Sequence, residues 1–311
     1  MAGEEGEDSA GFGGRLGAAG RAMLAAARHA LDDPALSEPR RVHELRKAFK
    51  RWRAFLRLLA GPIGAPAEAL RLEARTLMRR LSGARDAQAA LDAIDDLTGA
   101  GAKLSPRTEQ TVRARLTALR DAAESASLTP ELRADIAGYL ARASDTVAAW
   151  PLAEIAFGVI ADALATTYRR GRRLRPEDWP DTDAAHLHEL RRRVVEHRHQ
   201  MELIEPLWPR VTRAWSEEAQ RLRNRLGACQ DLSVLSGYLA PRQPLAPWRS
   251  RLTPLIAARR ERHLTTAARL AARLFAEKPK AFRQRIAALW TARKPRTRKT
   301  KRRSGQDVPA R

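Results

Sequence analysis

Cysteine, lysine, aromatic and β-branched residues are all scarce in this sequence, and each shortage narrows what the chain can be. One cysteine in 311 residues, Cys229, leaves no internal disulfide framework and no cysteine-rich zinc site. It also fits a reducing compartment. Aromatic residues amount to only 5%. Trp52, Trp215 and the others fall mainly on apolar faces or at helix ends, where they read as core and not as base-stacking platforms. No run of alternating apolar and polar residues marks a strand. The most apolar stretch, 148–165, is interrupted by Pro151, Glu154 and Asp162, short of the roughly twenty unbroken apolar residues of a membrane span. The opening MAGEEGED is acidic, where a secretory signal needs positive charge. A cytoplasmic protein without membrane attachment is the expectation.

What is abundant is arginine. Lys plus Arg is 58 against 36 Asp plus Glu, a net charge of +22, and arginine supplies 50 of those 58 bases. Such an excess points to a polyanionic partner: nucleic acid, a phosphate polymer or an anionic surface. Alanine, leucine and arginine dominate, and apolar positions recur at three and four, which predicts an all-α fold. Breakers such as Asp33-Pro34, Gly61-Pro62, Thr129-Pro130 and Trp179-Pro180 divide the chain into twelve expected helices. These are 15–32, 38–60, 65–82, 84–97, 105–127, 130–147, 151–170, 183–205, 209–227, 229–240, 247–276 and 279–291. Residues 1–14, acidic and glycine-rich, read as a disordered leader. Residues 292–311, with a net charge of +8 and no apolar periodicity, read as a disordered basic tail.

The chain repeats itself. His43-Glu44-Leu45-Arg46 returns as His188-Glu189-Leu190-Arg191, an offset of 145 residues. The same offset lays Glu73 on Glu218, Leu77 on Leu222, Arg80 on Arg225, Leu81 on Leu226 and Asp86 on Asp231. A register shared over so long a stretch indicates a duplication, with one half at 15–147 and the other at 150–291.

On a helical wheel of 38–60, Leu45, Phe49, Trp52, Leu56 and Leu59 occupy one arc of about 80°. His43, Arg46, Lys47, Lys50, Arg53 and Arg57 occupy an arc of about 120° nearly opposite. No carboxylate lies inside the cationic arc, so repulsion among its bases goes unrelieved unless an anion neutralises it. The helix at 183–205 repeats the plan with losses. Leu190, Val194, Met201 and Ile204, joined by His197, make its apolar stripe. His188, Arg191, Arg192, Arg198 and His199 lie opposite, while Val195 and Glu202 stand where Lys50 and Arg57 stand in the first half. Arg80 and Arg225 sit on equivalent flanks of the next helix.

HELRKAFKRWRAFLRLL at 43–59 with LSGARDA at 81–87, and HELRRRVVEHRHQMELI at 188–204 with LGACQDL at 226–232, resemble the CHAD (conserved histidine α-helical) domain. The resemblance spans nearly the whole chain between leader and tail. It implies two homologous four-helix bundles, related by a pseudo-two-fold axis, around a basic groove that binds inorganic polyphosphate. By position, His43, Arg46, Lys47, Lys50 and Arg53 line that groove from one half, and His188, Arg191, Arg192 and Arg198 from the other. Arg57, Arg80 and Arg225 extend the candidate set. Val195, Glu196 and Glu202 depart from the basic pattern and make the second half the weaker expected contributor. A linear phosphate chain offers no base or sugar to read, and guanidinium forks on rigid helices meet it as a track. Protonation of His43 and His188 adds charge, so affinity is expected to rise as pH falls toward about 6.5.

Plainer readings stand beside these. The basic stripe is alternatively a solvated helix face, and the two histidines are alternatively helix-start residues bonded to backbone or to an acid. Histidines two apart, as at 186/188 and 197/199, point about 200° around the axis and cannot share an ion, so no metal or other cofactor is expected. Asp86 and Asp231 read as helix caps or ion-pair partners, and Cys229 as a small core residue. No Walker-type phosphate loop and no Glu-x-Glu-x-Lys pattern is present, so binding is expected and catalysis is not. The alternatives are a nucleic-acid or nucleoid-associated protein acting through its basic tail and surface, and an accessory subunit of a polyphosphate-metabolising enzyme. Localisation to polyphosphate granules goes with the leading one.

Overall fold

The computed structural model describes residues 2–81, 85–124 and 128–292. Among these residues every regular element is helical. The α-helices are α1 (Ala2–Asp32), α2 (Glu38–Leu59), α3 (Ala65–Arg80), α4 (Arg85–Gly99), α5 (Pro106–Glu124), α6 (Pro130–Ala148), α7 (Phe157–Arg173), α8 (Ala184–Leu203), α9 (Pro209–Tyr238), α10 (Arg249–Leu274) and α11 (Pro279–Ala292). Their starts follow local chemistry. Thr129 and Asp183 accept hydrogen bonds from the backbone N–H of Leu132 and His186, and proline occupies the first turn of α2, α3, α6 and α9, where its missing N–H costs nothing.

Two expectations are corrected. Residues 2–14 belong to α1 and are not a separate leader: Phe12 is buried and meets Phe157 and Trp290 edge-on, at centroid distances of 5.0 and 5.4 Å. Glycine at position 13 permits a close approach and does not mark a flexible link. A Cβ there would lie 2.1 Å from the carbonyl oxygen of Leu152, in the one-turn 3-10 helix Leu152–Glu154. Gly13→Ala is therefore expected to cost about 2 kcal/mol by overpacking, read as a lowered denaturant midpoint; an unchanged midpoint would detach this segment from the fold. Second, the helices expected at 209–227 and 229–240 are one, α9, which runs through Gly227. The basic tail lies outside the described residues, apart from the helical Ala292.

The interior does not divide into one core per half. The larger apolar cluster draws on α1–α3 and α6 from the first half and on α7, α8, α11 and parts of α9 and α10 from the second. A smaller cluster joins α4 and α5 to the C-terminal part of α9 and the N-terminal part of α10, through Leu91, Ile94, Leu116, Leu232, Leu235 and Leu252. Asp96 of α4 strengthens that junction, accepting from Arg259 Nε and Nη2 at 2.9 and 2.6 Å and bonding His263 Nε2 at 2.7 Å, both from α10.

The two halves also meet along α2 and α8, which run antiparallel. Arg57 pairs with Glu196 at 3.9 Å and Arg51 with Glu202 at 3.8 Å. The 145-residue offset carries each of these pairs onto the other, so the contact of α2 with α8 is locally two-fold. Gln200, fully buried, reaches across it to donate to the Ala54 carbonyl at 3.2 Å.

Candidate functional site

Beside the α2–α8 contact the helices leave a cleft of about 510 Å³ lined by α2, α4, α8 and α9. His43, Arg46 and Lys50 enter it from α2 because they share one stripe at spacings of three and four. Arg85 comes from the first turn of α4, Arg191 from α8 and Arg223 from α9. Gly227 packs against one of them: a Cβ there would sit 3.4 Å from Arg191 Nε, an ordinary van der Waals contact.

The electrostatics are those of crowded cations. Desolvation, then Arg223, Arg46, Arg85 and Arg191, hold the Lys50 ammonium down to about 8. Desolvation with Arg223 and Arg85 lowers Arg191 to about 10, and desolvation with Arg198 lowers Arg223. Lys50, Arg85, Arg191 and Arg223 form no ion pair among the described residues, and Arg191 Nε is buried without a hydrogen-bond partner. Two carboxylates, Asp92 and Asp231, share the cleft. Asp231 lies in the interior of α9 and so is no helix cap; desolvation, with help from Asp92, raises it to about 6.

Further along α2 the basic stripe continues and is then closed off. Desolvation and Arg192, followed by Arg71 and Arg75, press Arg53 down to about 10 against the opposing pull of Glu196, and Arg53 Nε is buried and unpartnered. One turn on, Arg57 faces Glu68 at 3.7 Å as well as Glu196, Arg71 pairs with Glu68, and Arg193 with Glu189 and Glu196. Arg57 thus sits among carboxylates, where an open cationic track was expected.

Several expected groove residues lie elsewhere. Lys47 stands at the edge of the cationic arc, about 60° round from Lys50. It bonds Glu44 at 3.2 Å and faces a second hollow lined by α1, with Arg51, His199 and Glu202. Arg198 is held by Gln220 and Glu202 at 2.5 and 2.7 Å. Arg80 pairs with Asp135 at 2.5 Å, and Arg225 contacts His263 Nδ1 at 3.4 Å. Arg192 is tied to Glu189 at 2.8 Å, though its charge still reaches Arg53. His188 shares a hydrogen bond with Gln230 Oε1 at 2.7 Å and is not among the residues that line the cleft. His199, expected on the basic face, is buried against Glu202. His197 is buried in the apolar stripe, and that burial pushes its pKa down to about 4.

Sequence reasoning missed Arg223 and gave Arg85 no role. The offset lays Arg223 on Met78 and Arg85 on Gln230, so neither is duplicated, and a search for repeated bases passes over both. Among the described residues no group of three or more histidine, cysteine, aspartate or glutamate side chains could hold a metal ion. No helix there is long and apolar enough to cross a membrane.

A sequence profile described as "CHAD domain" matches residues 15–240, which takes in all four helices that line the cleft. Among solved structures, the crystal structure of the CHAD domain from the plant Ricinus communis is similar to this chain with a TM-score of 0.55 and 20% identity. That match covers 89% of this chain and 92% of the plant chain. No curated protein matches.

Proposed function

This chain belongs to the CHAD domain family, and from that premise we propose that it binds inorganic polyphosphate in the cleft between α2, α4, α8 and α9, as a binding module and not a catalyst. One observation carries the reading: Arg46, Lys50, Arg85, Arg191 and Arg223 converge from four helices on one cleft, and four of the five have no carboxylate partner among the described residues. Cations crowded in this way destabilise the empty cleft and are relieved by an anion carrying a charge on every unit. Guanidinium forks donate to phosphate oxygens two at a time, and Lys50 supplies a compact point charge between them. Arg53, with Arg75 and Arg192 nearby, prolongs the basic surface along α2, and the carboxylates of Glu68 and Glu196 end it. Recruitment to polyphosphate-containing bodies, or sensing of the polymer, follows from such binding.

The reading carries a pH dependence with a definite sign. As pH rises through about 6, Asp231 becomes an anion, and through about 8 Lys50 loses its charge. Both changes strip positive charge from the cleft, while the interior phosphates of the polymer stay ionised. Affinity for long-chain polyphosphate is expected to fall by roughly tenfold between pH 5.5 and 9, about 1.4 kcal/mol. Replacing Asp231 with Asn should shrink the acidic limb of the profile. Titration of a labelled polymer across that range checks both, and an affinity that rises with pH contradicts the assignment.

A further inference from the structure

We propose that Lys50 is an acylation site for small acyl phosphates, and that its acylation shuts the cleft to polyanions. Lys50 is the one lysine among the residues that line the cleft. The other bases there are arginine and histidine, neither of which forms a stable acyl adduct. Lys50 keeps access to solvent and joins no ion pair among the described residues. Around it stand Arg46, Arg85, Arg191 and Arg223, in a cleft of about 510 Å³, ample for an acyl phosphate of a few carbon atoms. The guanidiniums that suit a phosphate unit of a polymer equally suit the phosphate of this reagent, and they set its carbonyl carbon beside the amine.

The chemistry balances without a further co-reactant. Neutral Lys50 Nζ attacks the carbonyl carbon, a C–N bond forms, and the C–O bond to phosphate breaks. Orthophosphate leaves with the bonding pair, and the proton released by nitrogen passes to phosphate or water. The arginines stabilise the charge that gathers on the leaving group. The amine is prepared for attack, because burial and the four neighbouring guanidiniums hold its pKa down to about 8 and so raise its neutral share near pH 7.5 above that of an ordinary lysine. The groups that face it are His43 and Arg46 on its own helix, Arg85 and Asp92 on α4, Arg191 on α8, and Arg223 and Asp231 on α9. Lys47, three residues earlier, is the internal contrast: it bonds Glu44 at 3.2 Å and lines the other hollow.

The effect on polymer binding rests on the polyphosphate reading; the site selectivity does not. The experiment treats the full chain with acetyl phosphate and, separately, with the uncharged N-hydroxysuccinimide ester of acetate. Occupancy of each lysine is followed by peptide mass spectrometry, and polyphosphate binding is titrated before and after. Lys50 is expected to react at least tenfold faster than Lys47 with either reagent, with a rate that rises to a midpoint near pH 8. Inorganic pyrophosphate should slow the acetyl phosphate reaction more than the ester reaction, since it competes for the guanidiniums as well as covering the amine, and the acetylated protein should bind polymer at least tenfold more weakly. Equal rates at Lys50 and Lys47 overturn the proposal, as does a preference seen with the ester alone. If the untreated chain fails to bind the polymer while Lys50 is still acylated selectively, the polyphosphate reading has failed and the acylation site has not.

Discussion

The double variant Lys50→Glu/Arg191→Glu is expected to bind long-chain polyphosphate at least about a hundredfold more weakly than the native chain. Each charge-assisted hydrogen bond to an anion contributes about 1.5–3 kcal/mol, so two lost contacts exceed the 2.7 kcal/mol of a hundredfold change. Placing carboxylates beside a polyanion adds repulsion. The two residues come from opposite halves and meet in the one cleft. The control is Lys47→Glu/Arg80→Glu, which removes the same net charge from positions that bond Glu44 and Asp135 instead; it should weaken binding by less than about threefold, as rim charges do. Circular dichroism verifies that both variants keep their helices. Equal losses would make the binding a property of net charge and not of the cleft.

Trp52→Ala is expected to cost about 4 kcal/mol of folding stability, within the range for removing a buried tryptophan. Trp52 is only 1% exposed and lies opposite the basic stripe of α2. Its ring stacks on Phe55 at 5.4 Å. Its Nε1 donates to Tyr139 Oη at 2.6 Å, and that hydroxyl donates to the Leu70 carbonyl at 3.0 Å. One residue of α2 therefore ties α3 and α6 together behind the cleft. Truncation leaves a cavity and removes one partner of a buried hydroxyl, and the two losses add. Urea unfolding measures the change. A loss below about 1 kcal/mol would show that the neighbours collapse into the space, and that α2 is not positioned through this side chain.

Where the sequence was legible, a strict period made it so. The apolar arc of α2, Leu45, Phe49, Trp52, Leu56 and Leu59, is buried throughout, and on the opposite side the stripe of His43, Arg46 and Lys50 faces the cleft. The same wheel placed Lys47 among the bases, but an arc of about 120° is wider than one cleft, and Glu44 draws Lys47 to the other side. Duplication revealed the correspondence of α2 with α8 and concealed what is not duplicated, Arg85 and Arg223. It also promoted Arg80 and Arg225, which answer to Asp135 and His263, partners invisible without the packing of α6 and α10. Glycine misled in α1, where it allows contact with the turn after Trp150 and composition alone reads a break.

The account turns on whether the cleft, and not the excess of arginine, selects the ligand. The most direct measurement is a competition titration of long-chain polyphosphate against duplex DNA, on the full chain and on Lys50→Glu/Arg191→Glu, at physiological and doubled salt. Five contacts, at about 0.7 of a log unit per contact on a single-stranded polyanion, imply roughly a tenfold loss of polyphosphate affinity when salt doubles. The account predicts that polyphosphate displaces DNA from the native chain at both salt concentrations, and that the double variant loses this preference while keeping its residual DNA affinity. DNA bound as tightly as polyphosphate by the native chain, or a preference that survives the double substitution, would contradict it.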